Sequence, residues 1–294
     1  MLIDAVSRIG SIRKAAEDMN ITSSALNRRI QNFEEEFGAP IFERLPRGVR
    51  LNPAGELLIQ HIRGHTADLE RVRSQVADLS GLRRGHVSIA CSQAMQPYFM
   101  PRHIASYRAE HPGVTFAVNV RDRDAAEDDL RSYRCDLALV FEPTHLSDFD
   151  VILSVEQPVY AVMARSHPLA QKRELRLRDC LRFPSVVPPP AIGIRYLLDL
   201  AVGRMTQKLS STIEADSFEF MRHYVKNEMA VGFQFPVGLN IGKDDSLAFR
   251  PLLKRDVAYG RLSLLQMKGR TLPVASARFA NQLALALQNL PPEE

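Results

Sequence analysis

The sequence predicts two structural classes in one chain: an N-terminal all-α winged helix-turn-helix with a long linker helix, then a C-terminal α/β module of two lobes. Three observations carry this. Two short helical patterns, separated by a few polar residues, lie between Ser11 and Phe37. A heptad repeat runs from Leu58 to Leu79. Beyond residue 86, short apolar strand patterns alternate with helical ones, the mark of an α/β sheet. The 294 residues suggest about two domains, and 45% hydrophobic with 24% charged residues is ordinary globular composition.

In the first helical pattern, Ile12, Ala15, Ala16 and Met19 recur on one face, and Ser11 is placed to cap it. Asn20, Ile21 and Thr22 form the turn, and Thr22 can cap the next helix. There Leu26, Ile30, Phe33 and Phe37 step by 4, 3 and 4, which predicts a buried stripe, ended by Gly38 and Pro40. Rotating by about 100° per residue puts Ser24, Arg28 and Gln31 opposite that stripe, Asn27 on its flank and Arg29 nearer the buried side. The outer face therefore offers hydrogen-bonding groups and a cation, and its acids are held to Glu34–Glu36. An ordinary solvated helix mixes Glu with Lys for i,i+4 pairing. Arginine to guanine and Asn or Gln to adenine are the favoured base-edge pairs. Ser23, Ser24, Asn27 and Arg28 are thus expected to face bases, with Thr22, Arg29 and Gln31 completing the surface.

The stretch "IFERLPRGVRLNPAGE" reads as a small β-hairpin, with Arg44, Arg47 and Arg50 between apolar residues and a Pro46-Arg47-Gly48 turn. A basic tip suits phosphate contact, which supplies affinity without sequence information. Arg13, Lys14, Arg47 and Arg50 are the expected phosphate contacts. From Pro53 to Leu79 one long helix is expected, with Leu58, Ile62, His65, Leu69, Val72, Val76 and Leu79 as a seam whose simplest partner is a second copy. His61 and His65, at i and i+4, lack a third metal ligand, and HExxH is absent, so no metal is expected.

"SGLRRGH", residues 80 to 86, reads as a hinge. After it come strands "HVSIACS", "VTFAVNV", "CDLALVF" and "PVYAVMA", with helices Met95 to His111 and Ala125 to Tyr133 between them. A second unit has helices Ile194 to Lys208 and Phe218 to Asn227, with strands near Ser185–Val187, Ser211–Glu214 and Ala230–Phe235. "GRLSLLQMK" returns as a strand and Leu272 to Leu290 closes as a helix. The alternation indicates parallel sheets in two units, with a ligand cleft at the carboxyl ends of the strands. The expected domains are 1–52, 53–80 and 81–294, with lobe I about 86–160 and 266–294 and lobe II about 161–265.

Several classes find no support. There is no G-x-S-x-G, Walker A or G-x-G-x-x-G motif and no zinc spacing, so no enzyme and no cofactor is expected. No apolar run approaches the ~20 residues of a membrane span, and no signal peptide is evident. Cys91, Cys135 and Cys180 are odd in number and widely spaced, which fits a reducing cytoplasm. The net charge of +4 is weak evidence for a polyanionic partner by itself. Cys91, beside the expected cleft and Arg123, leaves a regulator switched by thiol oxidation as an alternative, though buried cysteine is commoner as a small apolar residue. Cys135 reads as core.

The order of helix-turn-helix, basic wing, heptad helix and two-lobed module resembles the LysR-type transcriptional regulators along nearly the whole chain. "GSIRKAAEDMNITSSALNRRIQNFEEEFGAPIFERLPRGVRLNPAGE" follows the family's N-terminal pattern almost residue by residue. "HPLA" at 167 to 170 and "MAVGFQFP" at 229 to 236 are similar to its effector-binding domain, itself similar to periplasmic solute-binding proteins. The resemblance implies sequence-specific DNA binding governed by a small-molecule effector, in a homodimer or homotetramer that reads an interrupted inverted repeat. A solute-binding module without a DNA role is the alternative that the C-terminal part alone would suggest.

Three departures stand out. Thr22, Ser23 and Ser24 replace the family's usual Ser-Gln-Pro, so an operator does not carry over. Asn27 stands where a serine is typical, next to the matching Arg28. Family members also have several more residues ahead of the segment matching Leu2 to Gly10, so the expectation is an upstream start or a short first helix. By position, the resemblance implies an effector site of Ser92, Gln93 and Ala94, Arg123, Pro190, Ile192, Arg195, Asp216, Ser217 and Phe235. Arg123 and Arg195 would suit a carboxylate or phosphate and favour an anionic effector. Equally, they could pair with Asp122, Asp124 or Asp199.

Overall fold

The computed structural model describes residues 2–79, 84–205, 209, 211–239, 241 and 246–290. The chain divides into two compact units, Met1–Glu70 and Arg71–Glu294.

The first unit opens with α1 (Leu2–Ile9), α2 (Ile12–Asp18) and α3 (Ser23–Phe37), followed by β1 (Phe42–Leu45) and β2 (Gly48–Leu51) and the start of α4 (Pro53–Leu79). Both predicted caps form. The Ser11 hydroxyl accepts from Lys14 N at 3.4 Å, and Thr22 Oγ1 accepts from Ala25 N at 3.3 Å. Gly38 ends α3 at φ 80, the left-handed geometry that glycine adopts without strain. Val6, Ala15, Ala16, Leu26 and Ile30 form the core between the three helices. The predicted stripe of α3 is shorter than its spacing suggests: Phe33 is half-buried, and Phe37 is 47% exposed and stacks on Phe33.

The hairpin pairs Phe42 with Leu51 and Leu45 with Gly48, around a two-residue Pro46-Arg47 turn. It docks tightly. A Cβ on Gly48 would lie 2.2 Å from Gly10 O, and Val49 N donates to that same oxygen at 2.9 Å. Glu34, which the sequence presents as one of three surface acids, accepts from Ile41 N at 2.7 Å and Phe42 N at 3.2 Å. It therefore fixes where the wing leaves α3. The α4 helix starts under Asn52, whose side chain accepts from Gly55 N. Ile59 is buried against Ile3 and Ile41, with Leu58 packed on that cluster. Arg63 Nε reaches Asp4 Oδ1 at 2.7 Å and ties α4 to α1.

The second unit holds two five-stranded sheets. The first comprises β3 (Arg84–Cys91), β4 (Gly113–Val120), β5 (Leu137–Phe141), β6 (Phe149–Gln157) and β12 (Gly260–Met267), in the order β4-β3-β5-β12-β6. The second comprises β7 (Tyr160–Ala164), β8 (Ser185–Val187), β9 (Ser211–Glu214), β10 (Val231–Gln234) and β11 (Leu247–Pro251), in the order β11-β7-β10-β8-β9. Its helices are α5 (Phe99–Glu110), α6 (Arg123–Arg131), α7 (Leu177–Cys180), α8 (Gly193–Val202), α9 (Phe218–Asn227) and α10 (Val274–Gln288).

Several expectations are corrected. The sheets are mixed: β12 runs antiparallel to β5 and β6, and β7 antiparallel to β10 and β11. Strands β6 and β11 are additional to those expected. Because β12 lies wholly in the first sheet, the second lobe ends before Gly260 and not near residue 265. Arg84–His86 begin β3 and are not hinge, while 80–83 lie outside the described residues. Helix α8 ends at Val202, and 206–208 of its expected extension also lie outside them.

One apolar cluster runs through both lobes. Phe141 at the end of β5 stacks on Phe235 after β10, with ring centroids 3.7 Å apart. Gly193 has room for no Cβ without meeting Phe141 at 3.0 Å. Helix α6 covers a second cluster on the other face of the first sheet, which includes Ala126, Leu130, Cys135 and Val140.

Candidate functional site

The outer face of α3 is built by its own periodicity. Leu26 and Ile30 turn inward, and Ser23, Ser24, Arg28 and Gln31 are exposed. Arg29 is exposed too, and not drawn toward the buried side as its rotation suggests. Arg28, Arg29, Lys14 and Arg47 make no ion pair with a described residue, which leaves their charge available.

Other members of the predicted surface are already engaged. Thr22 Oγ1 caps α3 and lies 3.2 Å from Ser24 Oγ. Asn27 is half-buried, and its Oδ1 accepts from Arg44 Nη2 at 3.2 Å. Arg44 thus bridges the wing to α3, a role sequence reasoning missed because the two lie 17 residues apart. Arg50 is not a bare cation: Glu43, directly opposite in the hairpin register, takes it at 2.8 Å. Arg13 lies 3.7 Å from Glu17 in a loose, exposed i,i+4 pair. Pairs of this kind are worth little and yield readily to a competing phosphate.

On α4, the seam divides. Leu58 and Ile62 are half-buried in their own unit, whereas Leu69, Val72 and Val76 are 52%, 44% and 57% exposed. His65 is exposed, and its ring meets His61 edge-on at 4.4 Å. Among the described residues no group of His, Cys, Asp or Glu has the arrangement to hold a metal.

The second candidate site is a cavity of about 340 Å³ between the lobes. Both sheets place it. In the first, β3 sits between β4 and β5, and in the second β8 sits between β9 and β10, so the loops leaving β3 and β8 part from those of their neighbours and open a crevice at the strand ends. In the first lobe, Ser92 and Gln93 follow β3, Val120 to Arg123 follow β4, and Val140 and Phe141 end β5. In the second, Pro189 and Ala191 to Gly193 follow β8, and Asp216 follows β9. The N-termini of α6 and α8 both open onto it; the Asp122 carboxylate already caps α6, whereas α8 has no side-chain cap and its amides favour negative charge.

Ser92, Gln93, Arg123, Ile192 and Asp216 of the predicted set line this cavity. Ala94 is buried beneath it, where it packs on Gly238. Pro190 gives way to its neighbours Pro189 and Ala191. Ser217 caps α9, its hydroxyl accepting from Phe220 N at 3.2 Å. Phe235 is 1% exposed and supports Phe141 from behind. Arg195 is drawn away: its guanidinium donates to Asp199 at 2.9 Å, Glu214 at 3.1 Å and Pro188 O. The pairing expectation therefore holds for Arg195. The ends of β4 and β5, which supply Val120, Arg121, Val140 and Phe141, were legible only from the rule that ligands sit at strand carboxyl ends.

Arg123 differs. Its side chain is only 15% exposed, its nearest acid is Asp124 at 4.0 Å, and its guanidinium lies over the Tyr196 ring at 4.8 Å. Its Nε is buried without a hydrogen-bond partner. A buried donor left unpaired costs about 1–3 kcal/mol, which a ligand acceptor would recover. Gln93 joins the lobes, its Oε1 accepting from Phe218 N at the start of α9, 2.8 Å away. Cys91 is fully buried, and burial pushes its thiol up to about 12. A thiol so protonated is a poor nucleophile and a poor redox sensor, so the oxidation switch is set aside. Cys135 and Cys180 are likewise buried and pushed up to about 12 by desolvation.

Comparison with known families matches residues 1–56 to the bacterial regulatory helix-turn-helix protein, lysR family, and residues 80–288 to the LysR substrate binding domain. Among curated proteins, the chain is 23% identical over 227 residues to the HTH-type transcriptional activator CmpR of Synechocystis sp., covering 77% of this chain and 74% of that one. Full-length OxyR from Pseudomonas aeruginosa superposes with a TM-score of 0.72 at 18% identity, over 98% of this chain and 93% of that one. CbnR complexed with its target DNA gives a TM-score of 0.58 at 15% identity, over 97% of each chain. At these identities the solved structures speak for the fold alone.

Proposed function

The chain belongs to the LysR family of transcriptional regulators, which are not enzymes, and on that premise we propose that it reads DNA through α3 under the control of an effector in the cavity. The observation that carries the proposal is the acid-free outer face of α3, where Ser23, Ser24, Arg28 and Gln31 stand exposed beside Arg29. Arg28 pairs with a guanine edge, and Asn27 contributes after Arg44 releases it. Lys14 and Arg47 hold phosphates as free cations. Arg13 and Arg50 do so by exchanging exposed carboxylate partners. Two copies join along Leu69, Val72 and Val76 of α4, so paired α3 helices read an interrupted inverted repeat. The protein works in the cytoplasm, and no described helix is long and apolar enough to cross a membrane.

The effector presents an anionic group to the first lobe. Arg123, with its unpartnered Nε, and the uncapped N-terminus of α8 supply the positive field that supports this reading. A ligand alters DNA binding only through different affinity for two states of the protein. The Gln93–Phe218 hydrogen bond gives the two states a physical basis, since it joins the lobes through a side chain that lines the cavity.

Footprinting on DNA from upstream of the protein's own gene tests the proposal. The expected result is two protected half-sites on one face of the duplex, about one helical turn or a multiple apart. Uniform protection, or protection of a single site, would overturn it.

A further inference from the structure

Four charged side chains line the cavity: Arg121, Asp122, Arg123 and Asp216. Two are spent within the protein. Arg121 Nε holds Asp129 at 2.9 Å, and Asp122 Oδ1 caps α6 by accepting from Ala125 N at 2.8 Å. Two remain. Arg123, from the first lobe, gives Nη1 to Glu142 O in a long hydrogen bond of 3.4 Å, but its buried Nε has no partner and its nearest acid is the distant Asp124. Asp216, from the second lobe, is exposed and makes no hydrogen bond or ion pair with a described residue. The cavity thus offers one cation and one anion, from opposite lobes.

Resting on the effector reading of this cavity, we propose that the effector is a zwitterion, a small α-amino acid or a close analogue. Its carboxylate takes Arg123 and its ammonium group takes Asp216. A phosphate dianion would find one available guanidinium and face the uncompensated carboxylate of Asp216. A simple carboxylate would satisfy Arg123 and leave Asp216 to be desolvated without a partner, which is costly for a charge. The zwitterion satisfies both and links the lobes through its own covalent frame. Its side chain would meet Val120, Phe141 and Ile192. The volume of about 340 Å³ lies near the small end of ligand sites, which run roughly 300–1,000 Å³.

The test is isothermal titration of the full chain with the standard L-α-amino acids, then with two analogues of the tightest binder: its 2-hydroxy acid, without the ammonium, and its primary amine, without the carboxylate. Simple monocarboxylates and sugar phosphates form a second panel. The expected result is that one amino acid binds and both analogues bind at least about 100-fold more weakly. Asp216→Asn, an exposed change that leaves the core intact, should shrink the preference over the 2-hydroxy acid at least about tenfold. Arg123→Gln should instead shrink the preference over the amine. A 2-hydroxy acid that binds as tightly as the amino acid, or a preference unchanged in Asp216→Asn, overturns the zwitterion. Binding from the second panel alone also overturns it but leaves the effector cavity standing. No binding from either panel at about 10 mM, where a useful site would show, removes both.

Discussion

Arg28 and Arg47 are both exposed arginines without a carboxylate partner among the described residues, yet their positions give them different work. Arg28 projects from the second turn of α3, and in the proposed function it takes a base edge. Arg28→Ala should cost about 1–3 kcal/mol on the specific site and relax base preference there, as competition binding against single-base variants would measure. An equal loss on scrambled DNA would move Arg28 to a phosphate role. Arg47 occupies the hairpin turn, and in the proposed function it takes a DNA phosphate. Arg47→Ala should weaken all sequences alike and lower the slope of log K against log salt by about one. An unchanged slope would remove the wing tip from the contact surface. The sequence reveals which of these residues are exposed, because helical rotation decides that. It does not reveal that Asn27 is held by Arg44 or Arg50 by Glu43, since long-range side-chain pairing leaves no periodic trace.

Among the elements, α4 shows how one pattern serves two partners. Its heptad was fully legible, but the spacing alone could not tell that Leu58 packs within its own unit while Leu69, Val72 and Val76 stay exposed. If those three form the seam between copies, Val72→Glu should shift sedimentation from dimer toward monomer. Each buried apolar side chain there contributes about 1.5–3 kcal/mol. An unchanged sedimentation profile would place the interface elsewhere. Helix α6 has a different anchor. Glu127, fully buried, accepts from His145 Nδ1 at 2.7 Å, Thr144 Oγ1 at 3.0 Å and Arg131 Nη2 at 3.2 Å. Burial pushes its carboxyl up, and hydrogen bonds from His145 and Thr144 more than offset this, so its pKa lies below the ordinary value. With a depressed native pKa, the stabilisation is present above the ordinary carboxylate range and is lost as pH falls through the native value. The melting temperature should drop on acidification below about pH 5, and Glu127→Gln should flatten that acid limb while costing about 1–3 kcal/mol at neutral pH. An acid limb unchanged in Glu127→Gln would assign it to other groups.

At the scale of the whole molecule, the sequence showed the winged helix-turn-helix and the alternating α/β order because both rest on local periodicity and turn residues. It missed that the sheets are mixed and that β12 returns to the first lobe, since strand direction and sheet membership depend on distant partners. The cavity was foreseen at strand carboxyl ends, and five of its expected residues line it. Pro190, Ala94 and Ser217 each stand one residue from a lining neighbour, acids draw Arg195 away, and Phe235 is buried behind Phe141. Everything proposed for α3 requires that this chain bind DNA by sequence. Fluorescence anisotropy with labelled DNA from upstream of its own gene, against a scrambled duplex across a salt series, tests it most directly. Affinity for the native duplex should be at least about 10³-fold tighter, with a steep salt slope for both. Equal, weak binding to the two duplexes would contradict it.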